Sequence, residues 1–408
     1  MRILSATALA VASLVAISPL SAQKKGGIPK RPKLQTTTDT NDALAYYRLG
    51  EQMLDRDARL AADAFYWATR LNPNSAEAFY GLRTARHLAD PYRFKRYMED
   101  DRKTIESSDV KQIDSLLARA FMLNPFLYRK FDELMLRTYI HQAVNSNSPG
   151  NDRPSATELD YVITQWLRQG GPESRAWVAY SEGRFGEALK GYADAAKSTK
   201  RKARLRTERG RIFFLTGNRD SALVELRLAL EELRKQDNKE LVRVYDSKAV
   251  LEHSVAKIHE AGNDLAAARE AYGRALAEDL AFYPAHFNLA NLAFQAGDTA
   301  TGVAEMELAI QINGDDPLLR LVYGYVLMAQ KRYADAEAQL TKAIAVEPYY
   351  ANLYYVLGQV YEAQKKRAEA IAQYETYLAR ASLHQPQRPD ATERLGRLRM
   401  QASGGAQE

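Results

Sequence analysis

Six histidines and a few adjacent carboxylate pairs are the side chains with the means for acid–base or metal chemistry, and their spacing assembles neither. His253 and His259 stand six residues apart, about 240° around a helix, so they point to different faces. Glu231-Glu232 and Asp315-Asp316 are neighbours in sequence, and charges so placed are solvated rather than converged on a cleft. Gly314-Asp315-Asp316 is too short for a calcium loop. The chain has no cysteine. That removes disulfides, thiolate metal sites, a thiol nucleophile and a lipid-bearing cysteine. There is no Gly-x-x-x-x-Gly-Lys loop, no Gly-x-Gly-x-x-Gly after a strand, no Gly-x-Ser-x-Gly elbow and no His-Glu-x-x-His. The expectation is a non-enzymatic chain that needs no metal and no cofactor.

Charge offers a second kind of chemistry. Lys197, Lys200, Arg201, Lys202, Arg204, Arg206, Arg209 and Arg211 form a basic run relieved only by Glu208. Such a run suits an anionic partner, either lipid head groups or an acidic polysaccharide. Nucleic acid is disfavoured, because no aromatic side chains interleave the run. The two halves also differ in sign. Residues 23–248 hold 41 Lys and Arg against 31 Asp and Glu, a balance of +10, whereas residues 249–384 hold 11 against 17, a balance of −6.

The elements that position these residues are helices. Ala, Leu, Glu, Lys, Gln and Arg dominate, and β-branched runs are scarce. A period of 34 residues orders the C-terminal part. From Ala351 come Tyr354, Leu357, Gly358 and Tyr361, then Ala370 and Tyr374. One period earlier, Pro317 starts a unit with Gly324, Ala336, Leu340 and Ala343. Tyr283 starts another with Leu289, Ala290, Ala293 and Met306, and Ala249 one with Val255, Ala256, Ala268 and Tyr272. Small residues at Ala256, Ala290, Gly324 and Gly358, and again at Ala268, Gly302, Ala336 and Ala370, let paired helices approach closely. Gly262-Asn263-Asp264 and Gly297-Asp298 are the turns between them.

Upstream the period weakens. A unit from Ala203 keeps Gly210, Gly217 and Ala222, and is followed by an insertion around Lys235 to Lys248. A unit from Gln169 has its first helix shortened by Gly170-Gly171-Pro172. Ala43 to Asn74 is again recognisable, and Ala76 to His87 begins a further first helix that Asp90-Pro91 interrupts. Between there and Arg168 the sequence predicts helices over Ile113–Leu123 and Phe126–Gln142, then a polar hinge over Asn145–Ser155. At the far end, Ala391, Leu395 and Leu398 form the apolar stripe of a closing helix.

The order of these residues resembles the tetratricopeptide-repeat family, whose pattern is W-x2-L-G-x2-Y…A-x3-F. The resemblance implies an all-α, right-handed superhelical solenoid of antiparallel helix pairs, with a degenerate helical N-terminal half and a C-terminal capping helix. It implies protein binding on a concave groove lined by positions 2, 5, 9 and 12 of each first helix. Carried onto this chain, that wall includes His253, Lys257, Phe287, Asn291, Phe294, Leu318, Leu321, Tyr325, Met328, Asn352, Tyr355 and Gln359, with Asn288 beside it. A peptide or helix from a partner protein would lie there. Asn288 and Asn291 match part of the family's carboxylate clamp, but His253, Leu318 and Val322 replace its basic residues.

The N-terminus is of another kind. Met1-Arg2 precedes an apolar stretch, Ile3–Ile17, then Pro19 and the small-residue pattern Leu20-Ser21-Ala22, which predicts a cleaved signal peptide over residues 1–22. Residues 23–41 are expected to form a disordered linker. The remaining divisions are 42–168 degenerate helical, 169–248 two imperfect units with an insertion, 249–384 four regular units, and 385–408 a cap with a frayed tail. The expected location is the periplasm or the exterior, with no transmembrane span in the mature chain.

Overall fold

The structure is a computed structural model that describes residues 27–34, 39–147, 154–199, 202–235 and 247–404. Among these residues every regular element is a helix. The helices are α1 (Ala43–Met53), α2 (Ala58–Leu71), α3 (Ala76–Leu88), α4 (Pro91–Met98), α5 (Arg102–Ile105), α6 (Ser108–Leu123) and α7 (Asp132–Asn147). They continue as α8 (Ala156–Gln169), α9 (Pro172–Ser181), α10 (Phe185–Ala196), α11 (Lys202–Leu215), α12 (Arg219–Lys235), α13 (Lys248–Ala261) and α14 (Leu265–Glu278). The last are α15 (Tyr283–Gln295), α16 (Thr299–Ile312), α17 (Pro317–Ala329), α18 (Tyr333–Val346), α19 (Ala351–Ala363), α20 (Arg367–Arg380) and α21 (Arg388–Gly404). None is long and apolar enough among the described residues to cross a membrane.

From α9 onward, consecutive helices pack in pairs and each pair packs on the next, in chain order through α20 onto α21. The periodic small residues make this possible. A Cβ on Gly324 would lie 3.0 Å from the Leu340 side chain, so α17 and α18 touch almost backbone to side chain. The turns within pairs repeat too. Gly183, Gly217, Asn263, Gly297, Lys331 and Lys365 all have φ between 61° and 83°, the left-handed conformation that ends one helix and redirects the chain. Asp264 and Asp298 then cap α14 and α16, accepting from the amides of Ala267 and Thr301.

The degenerate half is also built from pairs. α1 packs on α2, and α3 packs on both α2 and α6, with α4 and α5 inserted before α6. The interrupted unit at Ala76 therefore resumes after the insertion. At the other end, Ala391, Leu395 and Leu398 are buried in the last cluster of the array, as expected of a closing helix.

Two expectations need correction. Phe126–Phe131 is not helical: α7 begins only at Asp132, because the intervening side chains are drawn into contacts with distant helices. Nor is the stretch around residues 27–41 a free linker where it is described. The Pro29 carbonyl accepts from Trp67 Nε1 at 3.0 Å, and Arg31 stacks 4.3 Å from the Trp67 ring centre. The Asp39 carboxylate accepts from the Ser382 hydroxyl and the Leu383 amide, each at 2.7 Å. The proposed signal segment and the insertion over 236–246 lie outside the described residues.

Candidate functional site

Each first helix of the array carries its wall positions on one face because spacings of three and four residues recur on a helix. The structure divides these positions into three groups. Some are core. His253 is 2% exposed between the rings of Tyr272 and Phe282, at 5.6 and 5.4 Å. Burial, aided by Lys257, lowers its pKa to about 3. Leu321 and Tyr355 are buried as well, and the Tyr355 hydroxyl donates to Asp390 of α21 at 2.6 Å. These three face the next helix rather than an open groove, so they are not available as anchors.

A second group remains at the surface. Tyr325 is 38% exposed, the most open of the aromatic wall positions. Lys257, Phe287, Asn288, Asn291, Phe294, Leu318, Met328, Asn352 and Gln359 are half-buried. Gln359 donates to the Tyr355 hydroxyl at 3.0 Å, and Asn352 to the Tyr350 hydroxyl at 3.3 Å. The side-chain oxygens of both amides accept no hydrogen bond. Asn288 is committed to the Pro284 carbonyl of its own helix at 2.7 Å.

The third group is covered by the chain itself, which the repeat pattern does not foretell. The connector between α6 and α7, with the end of α6, runs across the first helices of successive pairs. Tyr128 Oη donates to the Tyr180 and Ser181 carbonyls at 3.1 and 2.8 Å, and the Arg129 amide donates to Tyr180 Oη at 2.9 Å. On α11, Arg211 Nε donates to the Pro125 carbonyl at 3.2 Å and its guanidinium stacks on Phe121. Phe214 stacks on Phe126 with ring centres 3.8 Å apart. Further along, Met122 packs among Tyr283, Phe287 and Leu319. Arg119 reaches Tyr283 Oη at 2.5 Å and pairs with Asp316, whose second oxygen accepts at 3.0 Å. Tyr180, Arg211 and Phe214 occupy wall positions 12, 9 and 12 of their units.

The basic run is not one exposed face. Arg211 is 2% exposed, and its neighbour Glu208 receives Arg129 at 2.7 Å. Burial pushes the Glu208 pKa up, but Arg129, Arg211 and Arg204 more than offset this and hold it below the usual range. Arg206 and Arg209 both pair with Glu225, and Arg204 pairs with Glu173. Lys197 and Lys202, both in the first half of the run, are exposed. Lys200 and Arg201 lie outside the described residues. The four arginines of α11 are consumed by internal pairing because α11 is packed on both sides. The histidines do not gather either: His286 sits between Glu305 and the Leu280 carbonyl, at 2.6 and 3.1 Å. Among the described residues no three His, Asp or Glu side chains converge as a metal site would need.

Residues 256–317 and 327–389 each match a family described as tetratricopeptide repeat. Solved structures with the same repeat are similar in part. One is YrrB, described as a TPR protein with an unusual peptide-binding site: 16% identity over 50% of this chain and 97% of that one, TM-score 0.39. Another is the C-terminal part of a TPR repeat-containing protein from Cytophaga hutchinsonii: 16% identity, 50% and 77% covered, TM-score 0.42. A third is a tetratricopeptide repeat protein from Parabacteroides merdae: 17% identity, 53% and 81% covered, TM-score 0.41. No curated protein matches.

Proposed function

We propose that this chain, which belongs to the tetratricopeptide-repeat family, is a non-enzymatic scaffold that acts outside the cytoplasm and holds a peptide segment of a partner protein. The repeats make it a protein–protein interaction scaffold. The finer reading rests on the part of the wall that its own connector leaves uncovered. Asn291, Phe294, Tyr325, Met328 and Gln359 lie towards the C-terminal ends of α15, α17 and α19. An exposed tyrosine among half-buried apolar side chains such as Phe294 and Met328 is suited to a peptide chain, since the ring supplies apolar contact. The observation that carries the reading is that the same wall positions, in earlier repeats, already hold a non-helical segment.

Export is supported by the apolar stretch Ile3–Ile17 with its small-residue end. A photo-crosslinking residue in place of Tyr325 tests the groove. Adducts with a partner should form from that position and not from exposed Leu308 on α16. Equal adducts from both positions would remove the concave wall as the binding surface.

A further inference from the structure

The connector of this chain is held the way a groove holds a foreign peptide. We propose that the wall formed by α9, α11 and α13 is itself a peptide site, with a non-helical Phe-x-Tyr-Arg segment as its ligand class, occupied here in cis by Phe126–Arg129.

Each part of that pattern has a receiver. The Phe126 ring lies flat on Phe214. The Tyr128 hydroxyl reaches the last two carbonyls of α9, those of Tyr180 and Ser181. The Arg129 guanidinium meets Glu208, a carboxylate that is 6% exposed and kept ionised by surrounding arginines. The basic side chain of the ligand is thus matched by charge and not only by shape.

Two features set this apart from ordinary loop packing. Backbone groups of the segment are satisfied by groove side chains: the Pro125 carbonyl accepts from Arg211 and the Arg129 amide donates to Tyr180. Main-chain recognition of this kind does not depend on covalent attachment. In addition, the segment does not fill its site. A cleft of about 380 Å³ remains beside Leu123–Phe126, closed on the far side by Phe214, Lys257, Glu260 and Ala261. A separate chain entering there could run on along the wall where the resident segment turns away.

A tethered occupant competes at a high effective concentration, of order millimolar for a short linkage. Any ligand in trans therefore meets a site that is open only part of the time, and its apparent affinity falls by that fraction. The reading concerns other repeats than those around Tyr325, so either can fail alone.

The probe is a fluorescent synthetic peptide with the sequence of residues 121–131. It is titrated onto the full chain and onto Phe126→Ala/Arg129→Ala, with a melting curve confirming that the variant folds. The variant should bind the peptide at least about tenfold more tightly than the parent chain. Adding Glu208→Gln to the variant should abolish the gain, and a scrambled peptide should bind neither protein. The second measurement keeps the resident anchors. Leu127→Cys places the chain's only thiol at a residue 1% exposed, and excess peptide should speed its alkylation as the segment is displaced. A folded double variant that binds no more tightly than the parent, or an alkylation rate unmoved at saturating peptide, overturns the proposal.

Discussion

Arg70 Nε of α2 lies 2.9 Å from a carboxylate oxygen of Glu347, in the turn between α18 and α19, and both side chains are almost wholly covered. Trp67 stands edge-on to Tyr349 beside them, with ring centres 4.8 Å apart. Arg119 pairs with Asp316 one repeat earlier, and Asp39 binds the turn at Ser382 one repeat later. The basic N-terminal half thus docks on successive turns of the acidic repeats. The opposite charge of the two halves has a physical use.

The pair gives this docking a pH dependence. Burial raises the Glu347 pKa from 4.5 to about 7, although Arg70 opposes it. The group therefore favours the docked, folded state below pH 4.5, and the advantage is lost as pH rises through about 7. His253 acts in the other direction: buried with a pKa of about 3 against 6.5 unfolded, its contribution is present above pH 6.5 and is lost as pH falls towards 3. Between about pH 6.5 and 8 the Glu347 contribution is the one that changes, and the part still to be lost there is at most about 1 kcal/mol. Melting curves across that interval should show stability falling with pH in the parent chain and a flatter profile in Glu347→Gln. Equal slopes would count against the raised pKa.

The repeat register predicts a stabilising change. Lys331 and Lys365 have φ of 61° and 62° where Gly297 has 78°. A side chain in that conformation costs roughly 1–2 kcal/mol, part of which glycine returns through its looser unfolded state. Lys331→Gly and Lys365→Gly should each raise stability by up to about 1 kcal/mol, read as a higher melting temperature. A lower one would mean that the lysine side chains make contacts worth more than the strain.

The same register predicts a destabilising change. Gly324→Leu must displace Leu340, whose side chain would lie only 3.0 Å from an added Cβ, tighter than an ordinary contact. Overpacking of this kind costs about 1–3 kcal/mol. An unaltered denaturation midpoint would show that α17 and α18 can separate without loss.

These cases mark what was legible. The four regular units could be read because their packing is local: Gly324 meets Leu340, and Gly358 meets Tyr374, at a fixed offset within one pair. The connector could not. Phe126 to Phe131 has apolar residues at helical spacing, and periodicity cannot tell a buried helix from a segment whose side chains are claimed by Phe214, Tyr180 and Tyr80 far along the chain. His253 and Tyr355 hold wall positions of their helices, but a position on a face does not say how much of it the next helix covers. The basic run was misjudged for a related reason. Its acceptors Glu173 and Glu225 lie on other helices, at distances in sequence that no charge count registers.

The last prediction separates the two readings of that run. An exposed anion site would lose binding and keep its stability when one arginine is removed. Arg211 is instead enclosed, with Pro125, Glu208 and Phe121 as its neighbours. Its removal leaves the Pro125 carbonyl without that donor and weakens the group of cations that keeps Glu208 ionised. Breaking a buried charge pair from one side costs about 3–5 kcal/mol. Arg211→Ala should therefore lower the melting temperature sharply, while Lys197→Ala, at an exposed end of the run, should leave it unchanged. If the two variants melt alike, α11 is more open than its packing indicates.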